Sequence, residues 1–536
     1  MKATAEVIEV DREEIKALLE RARLEPLDEA SYQKLQNLLR AFSYLVEAIG
    51  EKDTTISQLR ALLQKPSTEK TDKVLEQVGL KPSSKSHAPR PEVKAKPGHG
   101  RNGAEAYQGA RRIPVPHASL KPGDHCPECL KGKLYEQKGP GLRIRVVGQA
   151  PIAATVYELE RMRCNLCGEI FEADAPAGVG ESKYDETAAA MIALLRYGSG
   201  IPFYRLEGLE RKLGIPLPPS TQWEIVEEVA EVIWPAFQEL IRQAGQGEVF
   251  HNDDTGMKIL SLARVSAPPA GERTGVFTSG IVSTRQGQRI ALFFTGRRHA
   301  GENFAQVLAH RAAGLPPPIQ MCDALSRNVP KLPEKLKVIV GNCNAHSRRR
   351  FVEVVSNFPE ECRYVLESLA EVYGYDAQAE ERGLSPEERL RFHQEHSGPV
   401  MDKLHAWLSD QFAEKKVEPN SGLGSAITYC LRHWHELTLF LRQADAPLDN
   451  NVVERALKKA ILHRKNSLFY KTENGAQVGD LFMSLIHTCE LNGANAFDYL
   501  TELQKHAEEV AKNPSSWMPW NYRGTLERAE AALHHG

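Results

Sequence analysis

Two pairs of cysteines have the spacing that most directly implies chemistry. Cys126 and Cys129 enclose two residues, and Cys164 and Cys167 do the same. Two such Cys-x-x-Cys turns offer four thiolates, which is the donor set of a tetrahedral structural Zn²⁺ site. Redox chemistry is the competing interpretation, but the strand-forming sequence between the pairs favours one structural zinc ion.

Three acidic residues occupy positions from which they could hold divalent cations. Asp253 lies on a predicted strand, Asp323 follows another, and Glu454 opens a predicted helix after Asp449 and Asn450. Oxygen ligands suit Mg²⁺ or Mn²⁺, and two such ions can stabilise an in-line phosphoryl displacement. The alternative is surface carboxylates and a helix cap, because the chain contains 70 acidic residues.

Basic residues follow Glu454 along the same predicted helix, and a second basic cluster follows His346. No acidic residue occurs between Arg455 and Lys471, whereas a solvated helix face usually intersperses acids that pair with its bases. Contacts with DNA phosphates therefore explain the pattern better than a solvated surface does. The predicted DNA contacts in these two segments are His346, Arg348, Arg349, Arg350, Asn451, Arg455, Lys458, Arg464 and Lys465.

Length and composition indicate a globular protein of several domains. The chain has 536 residues, and domains of roughly 100–200 residues argue for at least three folded units. Its 68 basic and 70 acidic side chains give a net charge of −2, so DNA binding must come from local basic patches. The sequence has no apolar leader and no apolar run of about 18 residues, so we expect neither secretion nor membrane insertion. Five isolated cysteines also fit a reducing cytoplasm: Cys322, Cys343, Cys362, Cys430 and Cys489.

The amino-terminal part of the chain has a heptad pattern. Apolar residues alternate by three and four positions between Leu35 and Leu63, with Lys52 as a polar break. About four heptads predict a coiled coil, whose role would be dimerisation. The alternative is an amphipathic helix that packs on its own domain.

A segment rich in Pro, Gly, Ser, Lys and His follows at residues 65–123. Between Lys81 and Lys121, nine basic residues stand against Glu92 and Glu105, a local charge of 9 − 2 = +7. We interpret it as a basic linker arm that follows DNA phosphates, with a solvated linker as the alternative. The predicted DNA contacts in the arm are Arg101, Arg111 and Arg112.

Short strands are expected between the cysteine pairs, and helices are expected after them. Residues 182–245 read as helices interrupted at 198–202 and 214–219. Helix, turn and helix suggest a DNA-binding module, although ordinary packing units have the same pattern. The strands expected in the zinc region are 133–137, 142–147 and 155–161.

Residues after 248 change to apolar runs typical of strands. Their pattern predicts an α/β unit with a mixed sheet, which a helical stretch at 352–446 interrupts. The chain then returns to the sheet domain with the helix that begins near Glu454. The expected strands are 249–262, 275–283, 289–295, 318–322 and 337–340, with a helix at 301–310.

Several short motifs accompany the predicted site residues. They are Gly98-His99-Gly100-Arg101-Asn102-Gly103, Gly132-Lys133-Leu134-Tyr135 after the first cysteine pair, Asp253-Asp254-Thr255, Cys343-Asn344-Ala345-His346-Ser347-Arg348-Arg349-Arg350-Phe351, Asp449-Asn450-Asn451-Val452-Val453-Glu454-Arg455-Ala456-Leu457, Arg464-Lys465-Asn466-Ser467-Leu468-Phe469, and Trp517-Met518-Pro519-Trp520. Together they resemble the transposases of the insertion-sequence 66 family. Three motifs depart from the usual family pattern: Asp254 replaces Glu, Ala324-Leu325 replaces Gly-Tyr, and Asn344 replaces Trp.

The resemblance implies a ribonuclease H-like domain whose Asp-Asp-Glu triad is Asp253, Asp323 and Glu454, with two bound Mg²⁺ or Mn²⁺ ions. It implies cleavage of transposon ends to leave a 3′-hydroxyl, followed by attack of that hydroxyl on a target phosphodiester. The implied partner is double-stranded DNA, as terminal inverted repeats and as target. The resemblance also implies a homodimer or a higher synaptic assembly. It implies a bacterial cytoplasmic protein that is associated with the nucleoid and with no membrane.

The predicted fold class is therefore multidomain α+β. Two alternatives to a transposase remain: a metal-dependent nuclease without strand transfer, and a non-catalytic sequence-specific DNA-binding regulator derived from a transposase. The expected segments are a coiled-coil dimerisation region (1–64), the basic arm (65–123), a zinc ribbon (124–175), a helix-turn-helix-like module (176–246), the ribonuclease H-like core (247–351), its helical insertion (352–446), the second part of the core with the Glu helix (447–510), and a tail (511–536).

Overall fold

The computed structural model describes most of the chain after residue 103. Its described residues are 28, 32, 70–80, 104–107, 110–135, 142–167, 169–180, 182–263, 273–334 and 336–535. The predicted coiled coil at 35–63 and Arg101 of the basic arm lie outside them.

The described secondary structure is mixed α and β, as the sequence predicts. The strands are β1 Arg161–Arg163, β2 Ile170–Glu172, β3 Val249–Met257, β4 Val276–Arg285, β5 Gln288–Gly296, β6 Ile319–Cys322 and β7 Ile339–Asn342. The helices are α1 Thr71–Gln77, α2 Glu186–Ala193, α3 Phe203–Lys212, α4 Pro219–Ala244, α5 Leu260–Ala263, α6 Ala300–Leu308, α7 Asn344–Val354, α8 Pro359–Glu381, α9 Pro386–Ala413, α10 Gly422–Arg432, α11 Trp434–Leu437, α12 Asn451–Ser467, α13 Glu473–Leu491, α14 Ala496–Lys505, α15 Ala507–Lys512 and α16 Tyr522–His535. A π-helical turn, Leu194–Gly198, continues α2.

The chain divides into two compact units. One comprises Met1–Ser86 and Arg349–Ala370, and within it Val74 and Leu366 are buried. The other comprises His87–Arg348 and Glu371–Gly536, and it contains the sheets and the candidate site. None of the described helices is long and apolar enough to cross a membrane.

A five-stranded mixed sheet organises the larger unit, in the order β5-β4-β3-β6-β7. The central strand β3 pairs antiparallel with β4 and parallel with β6, and β7 extends the parallel side. Gln286 and Gly287 both have positive φ and join β4 to β5, which is the backbone of a tight hairpin turn. All five strands expected from the sequence in this region are therefore confirmed, with the first ending at Met257.

Helix α13 covers the outer edge of β5 with a row of polar side chains. Every fourth side chain of the helix accepts a hydrogen bond from every second backbone N–H group of the strand. The two spacings match, because four residues of a helix rise about 6.0 Å and two residues of a strand rise about 6.6 Å. The pairing satisfies the edge of the sheet, which would otherwise expose unpaired N–H groups. The four pairs are Asn492 with Arg289, Thr488 with Ala291, Ser484 with Phe293, and Asp480 with Thr295.

The helices at 186–244 are interrupted where the sequence predicts, and they share one hydrophobic core with the sheet. Ile192, Ile233 and Leu240 of these helices belong to the same buried cluster as Ile281 and Phe482. Pro219 is the first residue of helix α4. Proline is favourable there, because the first N–H groups of a helix have no partner within the helix and proline lacks this group. The predicted helical stretch at 352–446 is also confirmed, as α7 to α11.

The strand predictions for the zinc region are largely wrong. Residues 142–147 and 153–160 form no strand, and residue 133 makes an isolated bridge with His125. The described sheet there is the short β1–β2 pair. The alternating apolar side chains do not bury a face: Leu142 is 59% and Val146 is 77% exposed. An isolated hairpin without a packed face has little stability in water, so apolar alternation alone was a poor guide.

Candidate active site

The central strand β3 directs its side chains alternately to two faces of the sheet. His251 contacts Asn450, the residue before helix α12, and Thr255 contacts Arg464 of that helix; Asp253 lies between them on the same face of the strand. Asp254 points to the opposite face, where its carboxylate lies 2.8 Å from His299 Nδ1 and 3.5 Å from Arg327 Nη2. Two adjacent aspartates therefore have different neighbours, and Asp253 is the one that faces α12.

Asp253 and Asp323 lie close together, each two residues beyond the parallel pairing of β3 with β6, which ends at His251 and Met321. The amide nitrogen of Asn328 donates to Asp253 Oδ1 at 3.3 Å and also to Asp323 Oδ1. The pKa of Asp253 is raised to about 7, mainly by burial and in addition by the neighbouring negative charges of Asp323 and Asp254. The sheet thus holds two carboxylates together where a cation would relieve their repulsion.

Helix α12 is fixed to the sheet one turn before Glu454. Asn450 donates from Nδ2 to the carbonyl of Asn252 at 3.1 Å, and its Oδ1 accepts from the buried ring of His251 at 3.1 Å. Burial lowers the pKa of His251 to about 4, so the ring is neutral. Gly280 allows close packing, because a Cβ there would lie 3.0 Å from Leu457. These contacts bring the first turn of α12 to the face of β3 that carries Asp253.

Glu454 lies beside two residues of the predicted motif at the start of α7. His346 Nδ1 is 3.6 Å from Glu454 Oε1, and the backbone N–H of Asn450 donates to Cys343 Sγ at 3.2 Å. Ligand atoms of Cys343, His346 and Glu454 all lie within 4.8 Å of one another. Burial raises the pKa of the Cys343 thiol to about 12, which disfavours the thiolate that metals bind.

The three predicted acids are therefore arranged as a pair and a single residue. Asp253 and Asp323 share an amide donor, whereas Glu454 is grouped with His346. Among the described residues, the three carboxylates do not form a set whose oxygens all lie within 4.8 Å of one another. In this arrangement a single ion could not contact all three carboxylates.

Helix α12 also presents a polar stripe to solvent. Its exposed residues recur at steps of four and three, so they occupy one face. They are Asn451, Arg455, Lys458, Leu462 and Lys465. Three of these are basic, and we call this face the basic stripe.

The other predicted DNA contacts differ in exposure. Arg111, Arg112 and Arg350 are exposed, and Arg349 is half-buried. Arg348 is 7% exposed, and Arg464 donates to Thr255 Oγ1 at 3.2 Å and to the carbonyl of Gly256. The last two side chains therefore have roles within the folded chain.

The four cysteines of the predicted zinc site are at or near the surface. Cys126 and Cys164 are half-buried, and Cys129 and Cys167 are exposed. No three of these described thiols lie mutually within 4.8 Å. The pKa of Cys129 is lowered, mainly because the backbone N–H of Gly132 donates to its sulfur at 3.4 Å.

Comparison with known proteins identifies the family. The model of the family described as "Transposase IS66 family" matches residues 181–478, more than half of the chain. The chain belongs to the transposase IS66 family. The matched residues include the sheet, the pair Asp253 and Asp323, and Glu454. Membership implies a DNA-processing enzyme that binds DNA, and members of such families usually depend on metal ions.

Similar curated proteins come from Sinorhizobium fredii and are uncharacterized. The chain is 28% identical over 388 residues to the uncharacterized protein y4jD, covering 68% of this chain and 71% of that protein. It is 25% identical over 509 residues to the uncharacterized protein y4hP, covering 89% of each. No solved structure matches this IS66-family chain significantly.

Sequence reasoning missed residues that hold this IS66-family site together. Asn328 joins two acids from a short 3₁₀ turn, and Asn450 joins α12 to β3. Asn344, where the family usually has Trp, donates to the carbonyls of Leu437 and Leu448. The position of Asn450 before the helix was visible in the sequence, but nothing marked Asn328.

Proposed function

We propose that this chain is a DNA transposase that cleaves transposon ends and joins them to target DNA at Asp253, Asp323 and Glu454. The observation that carries the proposal is the partly buried pair Asp253 and Asp323, beside the sheet face that receives the first turn of α12. A central strand with an antiparallel hairpin on one side and parallel strands on the other supports the ribonuclease H-like interpretation.

The residues present fit a site for two divalent cations of the Mg²⁺ or Mn²⁺ type. Carboxylate oxygens are the preferred ligands of these ions. Burial is the main cause of the raised pKa of Asp253, and the negative charge of Asp323, which a cation would neutralise, adds to it. Asp253 and Asp323 would hold the cations from the sheet, and Glu454 would hold them from the helix. Bound cations supply electrostatic stabilisation of the charge that develops on phosphoryl oxygens.

Other side chains of the site position the ligands and the DNA. Asn328 fixes the two aspartates through its shared amide, and Asn450 fixes the helix that carries Glu454. His346, 3.6 Å from Glu454, is suited to hydrogen bonding with a phosphate or with that carboxylate. The basic stripe would contact phosphates of the bound DNA and so set the position of the cleaved bond.

We also propose that Cys126, Cys129, Cys164 and Cys167 hold one structural Zn²⁺ ion. Backbone N–H groups directed at Cys129 stabilise a thiolate, which supports metal binding at the first pair. Zinc analysis of the purified protein tests this: one ion per chain, lost in the double variant Cys126→Ser/Cys164→Ser, is expected. A zinc-free wild-type protein that binds DNA normally would contradict it.

A cleavage and joining assay tests the transposase proposal. Duplexes made from the inverted repeats that flank the gene are incubated with the full chain, Mg²⁺ and a target plasmid. We expect cut ends with a 3′-hydroxyl and joined plasmid products, and we expect Glu454→Ala to bind the ends without cutting them. Cutting without joining would favour a nuclease, and unchanged behaviour of Glu454→Ala would favour a non-catalytic regulator.

We also propose that the chain acts as a homodimer or a higher synaptic assembly. We expect two or more copies of the chain to bind the two transposon ends together with target DNA. Analytical ultracentrifugation of the chain with end duplexes would measure the number of copies in the complex.

A further inference from the structure

A cavity of about 840 Å³ lies beside the last turn of α12, within the larger unit. Its walls come from the turn after α2, from helices α3 and α4, and from the segment between α12 and α13. This volume falls within the roughly 300–1,000 Å³ range of small-molecule sites. Aromatic side chains dominate the walls: Tyr197, Phe203, Tyr204, Trp223, Phe469 and Tyr470.

Arg196 gives this aromatic cavity a planar cationic wall. Its guanidinium carbon lies 4.8 Å from the ring centroid of Phe203, and its Nη1 donates to Ser467. The side chain is only 9% exposed, and its Nε has no hydrogen-bond partner. A buried donor without a partner costs stability unless a ligand satisfies it. Arg196 lies on the π-helical turn Leu194–Gly198, a distortion that often marks functional sites.

The cavity wall combines two cations, Arg196 and Lys471, with the carboxylate of Glu227, and that carboxylate favours a heterocyclic base over a phosphate. Glu227 lies in the wall, and its carboxylate accepts from Asn474 Nδ2 at 2.5 Å. The negative charge of Glu227 repels a phosphate, whereas the amino group of a base can donate to it. Aromatic faces, a guanidinium plane and a few polar atoms are the groups that bind unstacked bases.

The cavity and Glu454 lie at opposite ends of α12. From Glu454 to Ser467 the helix rises through 13 residues, about 20 Å at 1.5 Å per residue. Leu468 then adopts a left-handed conformation with φ of 67°, which ends the helix and turns the chain into the cavity wall. A DNA strand advances about 3.4 Å per nucleotide, so this separation corresponds to about six nucleotides.

We propose that this aromatic cavity binds one unstacked nucleobase of the DNA strand whose phosphates lie along the basic stripe. The base belongs to a nucleotide about six positions from the phosphodiester held at Glu454. The inference deepens the proposed function and rests on it for the presence of DNA. Stacking on the aromatic walls and hydrogen bonds to Arg196 repay the energy of removing the base from its stack.

Photocrosslinking with the full chain tests this site. The probe is an oligodeoxythymidylate of about 20 nucleotides that contains one 5-iododeoxyuridine, and mass spectrometry locates the crosslink. We expect the crosslink at Tyr204, Trp223 or Phe469. Tyr204→Ala should weaken binding of the oligonucleotide by about tenfold, since loss of one stacking contact has an effect of this size. Tyr204 is 57% exposed, so the variant should fold normally.

A matched pair of tryptophans on α4 provides the control. Trp223→Ala removes a wall of the cavity, and Trp234→Ala removes a half-exposed tryptophan elsewhere on the same helix. We expect only the first change to weaken binding, with thermal melting reporting that both variants are folded.

Three results would overturn the inference. DNA binding with crosslinks outside the cavity and full affinity of Tyr204→Ala would leave the proposed function intact but remove the base site. A wild-type chain that binds no DNA at all would contradict the proposed function itself. A dimer that Tyr204→Ala converts to a monomer, with unchanged DNA affinity, would show that the cavity receives a second copy of the chain.

Discussion

Two aspartates of the larger unit, the partly buried Asp253 and the buried Asp480, have similarly raised pKa values but different surroundings. Burial raises the pKa of each to about 7. Asp480 accepts from the N–H of Thr295 at 2.5 Å and from its hydroxyl at 2.6 Å. Asp253 has a second acid, Asp323, beside it and shares the amide of Asn328 with that acid.

The comparison separates a structural carboxylate from a candidate catalytic one. Asp480 belongs to the row of polar side chains that satisfies the edge strand β5, so its hydrogen bonds explain its position in the fold. Like charges held together on one face have no such structural benefit, because they repel. A raised pKa therefore does not by itself identify a functional site, and the neighbouring groups decide its meaning.

The largest expected effect distinguishes the two aspartates by activity. Asp253→Asn or Glu454→Gln should reduce cleavage of transposon ends by about a thousandfold or more, since several kcal/mol of charge stabilisation would be lost. Asp480→Asn is the matched control and should retain cleavage. Single-turnover cleavage at saturating protein measures the effect, and comparable losses in Asp253→Asn and Asp480→Asn would contradict the distinction.

The second effect concerns the pH dependence of stability at Asp480. Its pKa is about 7 in the folded chain and near 3.8 when unfolded, so the folded state holds the proton more tightly between these values. Its contribution to stability is then fully present below about pH 4 and is lost as the pH rises through 7. At about 1.36 kcal/mol per pKa unit the loss approaches about 4 kcal/mol.

Denaturant unfolding of the wild type and of Asp480→Asn across this pH range isolates the contribution. The difference in unfolding free energy should shift in favour of the variant as the pH rises from 4 to 8. A difference that stays constant with pH would show that Asp480 is ionised in the folded chain.

Divalent cations should have a somewhat smaller effect on the free energy of unfolding. Mg²⁺ or Mn²⁺ at about 100 times its dissociation constant should stabilise the wild type by about 2.7 kcal/mol. Thermal unfolding of wild type and Asp480→Asn should shift equally, whereas Asp253→Asn should shift much less. Equal shifts in all three proteins would place cation binding outside the proposed site.

The smallest effect comes from the attachment of α12 to the sheet. Asn450→Ala removes two buried side-chain contacts and should destabilise the chain by about 1–3 kcal/mol. Asn451→Ala changes the adjacent exposed position and serves as its stability control. Chemical unfolding measures both, and equal stability of the two variants would show that Asn450 does not hold α12 on β3.

The sequence was sufficient to predict the strands of the main sheet and the helix that carries Glu454. Uninterrupted apolar runs such as Ile290 to Phe293 predict buried strands, and Glu454 follows capping residues before an apolar helical pattern. The alternating residues 142–147 gave the wrong result, because no partner surface buries them. Alternation shows which side chains share a face, and burial depends on what packs against that face.

Other features could not be derived from local sequence. Asp253 and Asp254 differ in role because helix α12 covers only one face of the sheet. About 200 residues lie between β3 and α12 in the chain, so local sequence does not show which face that is. Asn328 belongs to a short turn without a recognisable pattern. The aromatic cavity combines three distant segments, so none of them alone indicates a site.

Anomalous X-ray scattering from crystals of the full chain soaked in Mn²⁺ tests the cation site of Asp253, Asp323 and Glu454 most directly. We expect manganese peaks in contact with carboxylate oxygens of Asp253 and Asp323, with Glu454 as a further ligand. Peaks confined to Cys343 and His346, or no peak near Asp253, would contradict it.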